Sequence, residues 1–354
     1  MPALLVLLSA LLSYYFFMRK PPLLFLTSTV TAVLLCAFAS GVSAQTDPRN
    51  PAMASQRFDN DKEYRYSRFS EYKKSPSPEQ QKRAYLAAKS FLQVYGGDND
   101  VYTKEARQFV TDFDNKVSQV ELYAAFDAKN YAKTFEIGRP VLTTQPENFF
   151  VLGLLSEAGY ENLLTGNVSL NDETIDYLRR AIKLVEAGKV SKPEPFKDLD
   201  TAAGFLNFVL GSLVKDKAPV EAAAAFAKAI QPKSPYENDP LTYYRLGVAI
   251  LKGPYPELSA EYNEKYGAKQ SSAEQRAMLE QINHLGTRAI YAYARSVALS
   301  DPARPVAVAP ATQFTPEFRG KVLDQLTALY KSFHNDSDAG LNELVSGALS
   351  KPLP

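Results

Sequence analysis

The sequence has few of the residues on which metal and catalytic sites are usually built. Its 354 residues include two histidines, one cysteine and no tryptophan. Cysteine and histidine zinc sites and disulfide frameworks are therefore excluded. The 40 basic and 39 acidic residues nearly cancel, so the positive potential of a nucleic-acid-binding protein is missing as well.

Further absences concern catalysis. Neither His284 nor His334 belongs to an H-x-x-x-H or H-E pair, and His334 is expected at a helix C-terminus, where a cation is favoured. Glycine-rich phosphate loops do not occur, and the acidic residues are spread along helices rather than paired. These absences predict a protein that is not an enzyme and uses no metal or cofactor.

The first 44 residues have the form of a secretory signal peptide. Read from Met18, they contain the basic pair Arg19 and Lys20, an apolar run over residues 23–38, and the small-residue site Val42-Ser43-Ala44. We therefore predict that residues 1–44 are a signal peptide, with Met18 as the true start and residues 1–17 as an upstream extension. Export to the periplasm or the exterior follows from this prediction.

Two alternatives remain for this leader. The apolar runs on either side of the basic pair are short for spanning helices, which need roughly 20 residues, but together they could anchor the chain through residues 1–40. Lipidation of Cys36 is the other alternative, although Leu35 is not the small residue expected before a lipidated cysteine. Cleavage after Ala44 would remove the only cysteine and two basic residues, which changes the formal charge from +1 to −1.

Beyond the leader the pattern is helical almost throughout. Residues 45–77 are predicted to be a polar linker, over 45–57, and a short amphipathic helix whose rings dock on the next helix. Ser77-Pro78-Glu79 predicts a helix start, and periodic apolar residues continue to Gly96-Gly97. A strand-like stretch at 306–308 lies among prolines and is predicted to be an extended connector. Further helices are predicted over residues 101–115, 117–128, 131–143, 147–159, 172–187, 196–215, 218–230, 239–252, 257–266, 272–299, 315–333 and 338–349.

Two short motifs recur in this helical region. Leucine-glycine pairs stand three residues after an aromatic or polar residue, at Leu152-Gly153, Leu210-Gly211 and Leu246-Gly247. The second motif is Leu178-x-x-Ala181 and Phe226-x-x-Ala229, and an alanine stands four residues before Phe226 and before Tyr293. In this order the motifs resemble the two helices of the tetratricopeptide repeat.

The resemblance implies an all-α fold, an α-solenoid of antiparallel helix pairs with irregular insertions. The repeats would cover residues 78–300, and residues 301–354 would form a C-terminal helical cap. Glycine on the first helix and alanine on the second would let the two backbones approach. The intervals are unequal, because Gly211 precedes Ala229 by 18 residues whereas Gly153 precedes Ala181 by 28.

The resemblance also implies a place for a ligand. Residues one past the motif aromatic face a concave groove in that family, which selects Phe150, Phe208 and Tyr244, with Tyr123 and Lys252 nearby. The predicted function is non-covalent binding of a protein or peptide partner, without nucleic acid and with membrane contact only through an uncleaved leader. One alternative is an envelope glycan-binding or nutrient-binding protein that uses exposed tyrosines, and another is an all-α carbohydrate-active enzyme.

Overall fold

A computed structural model describes residues 51–231, 233–267, 272–303 and 315–354, with side chains from residue 61 onward. The predicted signal peptide and the extended connector at 306–308 lie outside these residues. All regular structure within them is helical, which confirms the predicted all-α class. None of the described helices is long and apolar enough to cross a membrane. The described chain divides into two compact units, residues 51–123 and 124–354.

The N-terminal unit is built on helices α1 (Pro51–Lys73), α2 (Pro78–Tyr95) and α3 (Val101–Asp127), the last of which crosses the division. Its core is fully buried and consists of Phe69, Ala84, Ala88, Phe91 and Ala106. As expected for the aromatic block, the Tyr66 ring contacts those of Phe69 and Phe91, at centroid distances of 5.7 and 6.0 Å.

Two boundaries in this unit differ from the prediction. Helix α1 begins at Pro51, inside the expected linker, because proline is well suited to a first helical position and Ala52 is a strong helix former. Residues 101–127 form one helix rather than two, since no proline or glycine interrupts them around Lys116.

Acid should weaken the N-terminal unit through Asp100. The Lys62 ammonium donates to Asp100 and, at 2.5 Å, to Asp98. The Lys62 hydrogen bond, followed by that of the Thr103 backbone N–H, lowers the pKa of Asp100 to about 2. Because this pKa is lower in the folded state than in the unfolded one, the stabilisation is present above about pH 4 and is lost as pH falls towards 2.

Thermal denaturation between pH 5 and pH 2 tests this expectation. Near pH 5 the Asp100→Asn variant should melt at a lower temperature than the wild type. Its melting temperature should also decrease less than that of the wild type as the pH falls. Glu121→Gln is the matched control, on an exposed carboxylate of α3 that has no ion pair within the described chain. If the wild type and Asp100→Asn lose stability equally in acid, protonation of Asp100 is not the cause of the destabilisation.

The C-terminal unit is a solenoid-like succession of helices, most of which pack on their neighbours in sequence. Its helices are α4 (Tyr131–Thr144), α5 (Phe149–Leu164), α6 (Asn171–Glu186), α7 (Leu199–Val214), α8 (Pro219–Ala229), α9 (Pro240–Lys252), α10 (Pro254–Tyr266), α11 (Ala273–Leu299), α12 (Pro316–Phe333) and α13 (Leu341–Gly347). We call α5, α7 and α9 the first helices and α4, α6, α8 and α11 the second helices.

The second helices repeat one buried pattern. The pattern has three positions. The first varies in residue type, the second is a bulky side chain four positions later, and the third is a small residue three positions after the second. All of these residues are buried. The four sets are Tyr131, Phe135 and Gly138; Thr174, Leu178 and Ala181; Ala222, Phe226 and Ala229; and Ala289, Tyr293 and Ser296.

The leucine-glycine pairs are buried as expected, and two of their glycines meet the second helix. A Cβ atom on Gly211 would lie 2.9 Å from the Phe226 ring, and one on Gly247 would lie 2.9 Å from the Tyr293 ring. Gly153 differs, because its Cβ would meet Pro195 and Phe196 in the connection that follows α6. A glycine of the sequence motif therefore lies against an aromatic ring of the second helix in two helix pairs, and against the following connection in the first.

In the first pair the close approach is at Gly159. A Cβ there would lie 2.6 Å from Thr174 Cγ2 and closer still to Thr174 Oγ1. Gly159 is six residues beyond Gly153, so the interval to Ala181 shortens from 28 to 22 residues and approaches the 18 of the next pair. The Gly153 spacing was anomalous because another glycine makes the contact.

Candidate functional site

Ion pairs join second helix α4 to α6 and second helix α6 to α8. Arg139 of α4 forms a bidentate pair with Glu173 of α6, and Arg179 of α6 forms one with Glu221 of α8, with N···O distances of 2.8–2.9 Å. A second row of pairs consists of Lys189 with Glu147 and of Lys228 with Glu186. These eight charged side chains are matched to one another, whereas exposed Lys183 of α6 lies outside the two rows.

The first helices carry a different arrangement, centred on Arg245. This residue is half-buried on α9, and its Nη1 donates to Ser212 Oγ of α7 at 2.6 Å. Its guanidinium lies 4.9 Å from the centre of the Phe208 ring. Contact between a cation and a ring face is favourable by about 0.5–2 kcal/mol, which holds the guanidinium against α7.

Aromatic rings surround Phe208. Tyr236, from the short 3₁₀ helix Pro235–Asn238, lies 4.8 Å from it, and Tyr160 of α5 contacts both Phe208 and Phe205 edge to face at about 6 Å. We call Tyr160, Phe205, Phe208, Ser212 and Arg245 the Arg245 site. The site is thus shared by three successive first helices, and a cation lies among its rings.

Burial controls protonation around the site. Burial raises the pKa of the Tyr160 hydroxyl, and the nearby Arg245 charge opposes the shift. The phenol is therefore neutral at pH 7 and can donate a hydrogen bond. Burial likewise raises the pKa of Asp239, against hydrogen bonds from Thr242 and from the backbone N–H of Leu241 and Thr242. Asp239 is engaged as the N-cap of α9, where it receives Thr242 N–H at 3.0 Å.

The structure brings only some of the predicted groove residues to this site. Phe208 is in it but is 4 % exposed, so its contribution is mainly to support Arg245. Phe150 is buried, and half-buried Tyr244 packs on the Tyr293 and Phe318 rings, towards the C-terminal helices. Lys252 is exposed on α9, two helical turns beyond Arg245 and therefore on the same side of that helix.

Tyr123 lies in the N-terminal unit and is half-buried there. Ligand contact by any of the five predicted residues stays a prediction. Arg245, Ser212, Tyr160 and Phe205 of the site were not predicted from the sequence. A signal was available for Arg245, because it is the one charged residue within the otherwise uncharged α9 stretch that runs from Leu241 to Leu251.

The two histidines occupy unrelated places. His334 follows α12, where its Nδ1 is 2.8 Å from the Tyr330 carbonyl oxygen and its ring stacks on that of Tyr330. His284 is exposed on α11, in an open groove of about 510 Å³ that Leu258 and Leu285 also line. No group of three or more potential metal ligands occurs among the described residues.

The clustered tyrosines between residues 236 and 266 show packing geometry. The rings of Tyr262 and Tyr266 are 5.6 Å apart but inclined at 54°, and Tyr266 is buried. A flat, exposed platform of the kind that stacks on a sugar would require nearly coplanar rings. This pair does not favour the glycan-binding alternative.

Comparison with known proteins does not add a relative. No protein-family model matches the chain, and no curated protein or solved structure shows significant similarity to it.

Proposed function

We propose that this protein is an exported helical-repeat scaffold, similar to tetratricopeptide-repeat proteins, that binds a protein or peptide partner without covalent chemistry. The observation that supports the proposal most is the contrast between the two surfaces of the C-terminal unit. Helices α4, α6 and α8 pair Arg139 with Glu173 and Arg179 with Glu221, whereas the first helices present Arg245 among aromatic rings.

The residue types of the Arg245 site suit a peptide. Arginine and tyrosine are enriched at the centres of protein interfaces, because they combine apolar contact area with hydrogen-bonding groups. The site also rests on helices that are fixed by a well-packed core, so little conformational entropy would be lost when a partner binds. Successive helix pairs would extend the contact along the chain, as repeat proteins do.

Photo-crosslinking in cells that express the full-length chain would test the proposal. A benzoylphenylalanine placed at Lys252, or at half-buried Phe205 of α7, should crosslink to another protein, because both positions are on first helices. The matched control is the same group at Lys183, which is exposed on second helix α6. Crosslinks of equal yield from all three positions, or from Lys183 alone, would contradict the proposal.

Localisation is tested separately. Export predicts that the protein isolated from cells begins at Gln45, after the leader has been removed. N-terminal sequencing of the isolated protein measures this directly. An N-terminus within residues 1–17 would refute the predicted start at Met18, and retention of residues 18–44 would favour the membrane-anchored alternative.

A further inference from the structure

The turns that follow the three first helices lie together at one edge of the C-terminal unit. In the turn between α7 and α8, Lys217 Nζ is 3.8 Å from Asp172 Oδ1 at the start of α6. A Cβ atom on Gly253, between α9 and α10, would lie 2.7 Å from the backbone nitrogen of Val220 at the start of α8. The three turns are therefore contiguous. We call them the turn edge, which consists of residues 164–172, 214–220 and 253.

Exposed apolar side chains are concentrated at the turn edge. Within the described part of this unit, five side chains of the types Leu, Ile, Val, Met, Phe and Tyr are exposed. Three of them belong to the turn edge: Leu164, Val168 and Val220 are 51, 64 and 41 % exposed. The other two are Leu199, at the start of α7 and so at the opposite edge, and Leu279 of α11. Single exposed apolar residues are common, but several on adjoining turns form a patch of the kind that marks an interaction site.

The turn that carries Val168 is held by its polar residues. Asn162 Nδ2 donates to the Asn167 carbonyl at 2.8 Å, and Asn167 Oδ1 accepts the Ser169 N–H at 3.0 Å. Gly166 has a φ of 87°, a conformation that glycine adopts readily. The Val168 side chain thus contributes little to the turn, although it is the most exposed of the three aliphatic side chains. This exposure favours a contact with something outside the chain.

The size of the apolar area favours a lipid surface over a protein. A stable protein interface buries about 800 Å² on each partner, and three partly exposed aliphatic side chains supply much less than this. Adhesion to a membrane, in contrast, increases with each apolar side chain that is inserted among the lipids. Turns at the tips of helix pairs also project outward, so they can touch a flat surface together. A membrane is the surface to which the predicted leader would direct the chain.

The charges of the turn edge are balanced. Lys215 pairs with Asp216 at 2.9 Å, and Lys217 pairs with Asp172. All four side chains are at least 47 % exposed, so they can stay in the hydrated headgroup layer while the aliphatic side chains enter the lipid. Because two positive and two negative charges cancel, we expect adhesion to depend little on anionic lipid.

We propose that the turn edge is a membrane-adhesion surface, which inserts Leu164, Val168 and Val220 into the interfacial layer of a lipid bilayer. This contact is additional to any anchoring through an uncleaved leader. It goes beyond the proposed function and does not depend on peptide binding at the Arg245 site.

A polarity-sensitive fluorophore on a single introduced cysteine tests the contact at a chosen position. The full-length chain with Cys36→Ser carries Val168→Cys or, as the matched control, Leu199→Cys, and is labelled with nitrobenzoxadiazole. With phosphatidylcholine vesicles, emission from the Val168→Cys label should shift to shorter wavelength. Brominated lipid should quench it about twofold more strongly than the Leu199→Cys label, because only the first would lie among lipid chains. This readout reports the turn edge even if a retained leader also binds the vesicle.

Uncharged polar substitutions connect adhesion to the aliphatic side chains. A label at Val220→Cys should be quenched by brominated lipid, and this quenching should fall about tenfold when Leu164→Gln and Val168→Gln are added, because two apolar side chains no longer favour the lipid. Leu199→Gln, at the opposite edge, should leave the quenching unchanged. Circular dichroism verifies that each variant is folded, and the Val168→Cys label provides the test if the double glutamine variant does not fold.

Three results would overturn the inference. The first is equal emission and quenching of the Val168→Cys and Leu199→Cys labels. The second is quenching that requires phosphatidylglycerol in the vesicles and persists in the double glutamine variant, which would indicate adsorption through lysines. The third is water-like emission from Val168→Cys together with crosslinking of a benzoylphenylalanine at Val168 to a protein, which would assign the turn edge to a protein partner.

Discussion

Replacing Gly159 by alanine should destabilise the C-terminal unit by about 3 kcal/mol, at the upper end of the usual cost of overpacking a core. The added methyl group would overlap Thr174, whose Cβ is 2.8 Å from that position and whose Oγ1 is closer. Both residues are buried on helices, so neither can move aside without displacing α5 from α6. The melting temperature should fall by roughly 6–12 °C, as measured by thermal denaturation.

Gly320→Ala is the matched control for this change. Gly320 lies within helix α12, and nothing occurs within 4 Å of the Cβ that would be added. Because alanine is the better helix former, this substitution should leave stability unchanged or raise it by up to about 1 kcal/mol. Equal effects at the two glycines would show that Gly159 is not a site of close helix approach.

A double-mutant cycle identifies the steric partner. Thr174→Ala removes Oγ1 and Cγ2 and, with them, the hydrogen bond to the Leu170 carbonyl at 2.7 Å. Gly159→Ala and Thr174→Ala together should therefore cost less than the sum of the single changes, by about 1 kcal/mol or more. Additive costs would mean that the alanine methyl clashes with something other than Thr174.

Arg295→Met should release the C-terminal segment from the helix pairs. Arg295 Nε donates to the Ala348 carbonyl at 3.1 Å, Nη2 donates to the Lys351 carbonyl, and the guanidinium lies 5.4 Å from the Tyr243 ring centre. Hydrogen bonds from a charged donor contribute about 1.5–3 kcal/mol, and methionine keeps much of the apolar stem without the donors. We expect hydrogen exchange within α13 to accelerate by roughly tenfold or more.

The control for this change is Arg276→Met. Arg276 lies on the same helix, α11, but its side chain is exposed and makes no hydrogen bond or ion pair within the described chain. Its replacement should leave exchange in α13 unaltered. Unchanged exchange in Arg295→Met would show that the packing of Leu341 and Ala348 in the core is sufficient to hold the segment.

The sequence predicted the fold class well, because helical periodicity and helix-start residues are local signals. Helix α2 begins at the predicted Ser77-Pro78, although the Ser77 side chain makes no capping hydrogen bond. The side chains of Asn148, Asp239 and Ser272 accept backbone N–H groups at the starts of their helices. Polar composition predicts a linker up to residue 57, but α1 begins at Pro51 because local helix propensity there is high. The predicted break near Lys116 is absent because no proline or glycine interrupts α3 there.

The register of α5 could not be obtained from the motif alone. This helix contains two glycines six residues apart, Gly153 and Gly159, which lie on different sides of it, and a leucine precedes only the first. Which of the two glycines faces α6 depends on the path of the long connection between α5 and α6. That path is set by tertiary packing and cannot be obtained from a short sequence motif. The same limit applies to the Arg245 site, because Ser212 and Phe208 reach Arg245 only through the packing of neighbouring helices.

The ion pairs between second helices have a consequence for how the helix pairs are oriented. In one row the arginine precedes its glutamate in the chain, and in the other row the glutamate precedes its lysine. Turning α8 end for end against α6 would bring Arg179 towards Lys228 and Glu186 towards Glu221, which are like charges. Each exposed pair adds little stability. Together the two rows favour one relative direction of neighbouring second helices.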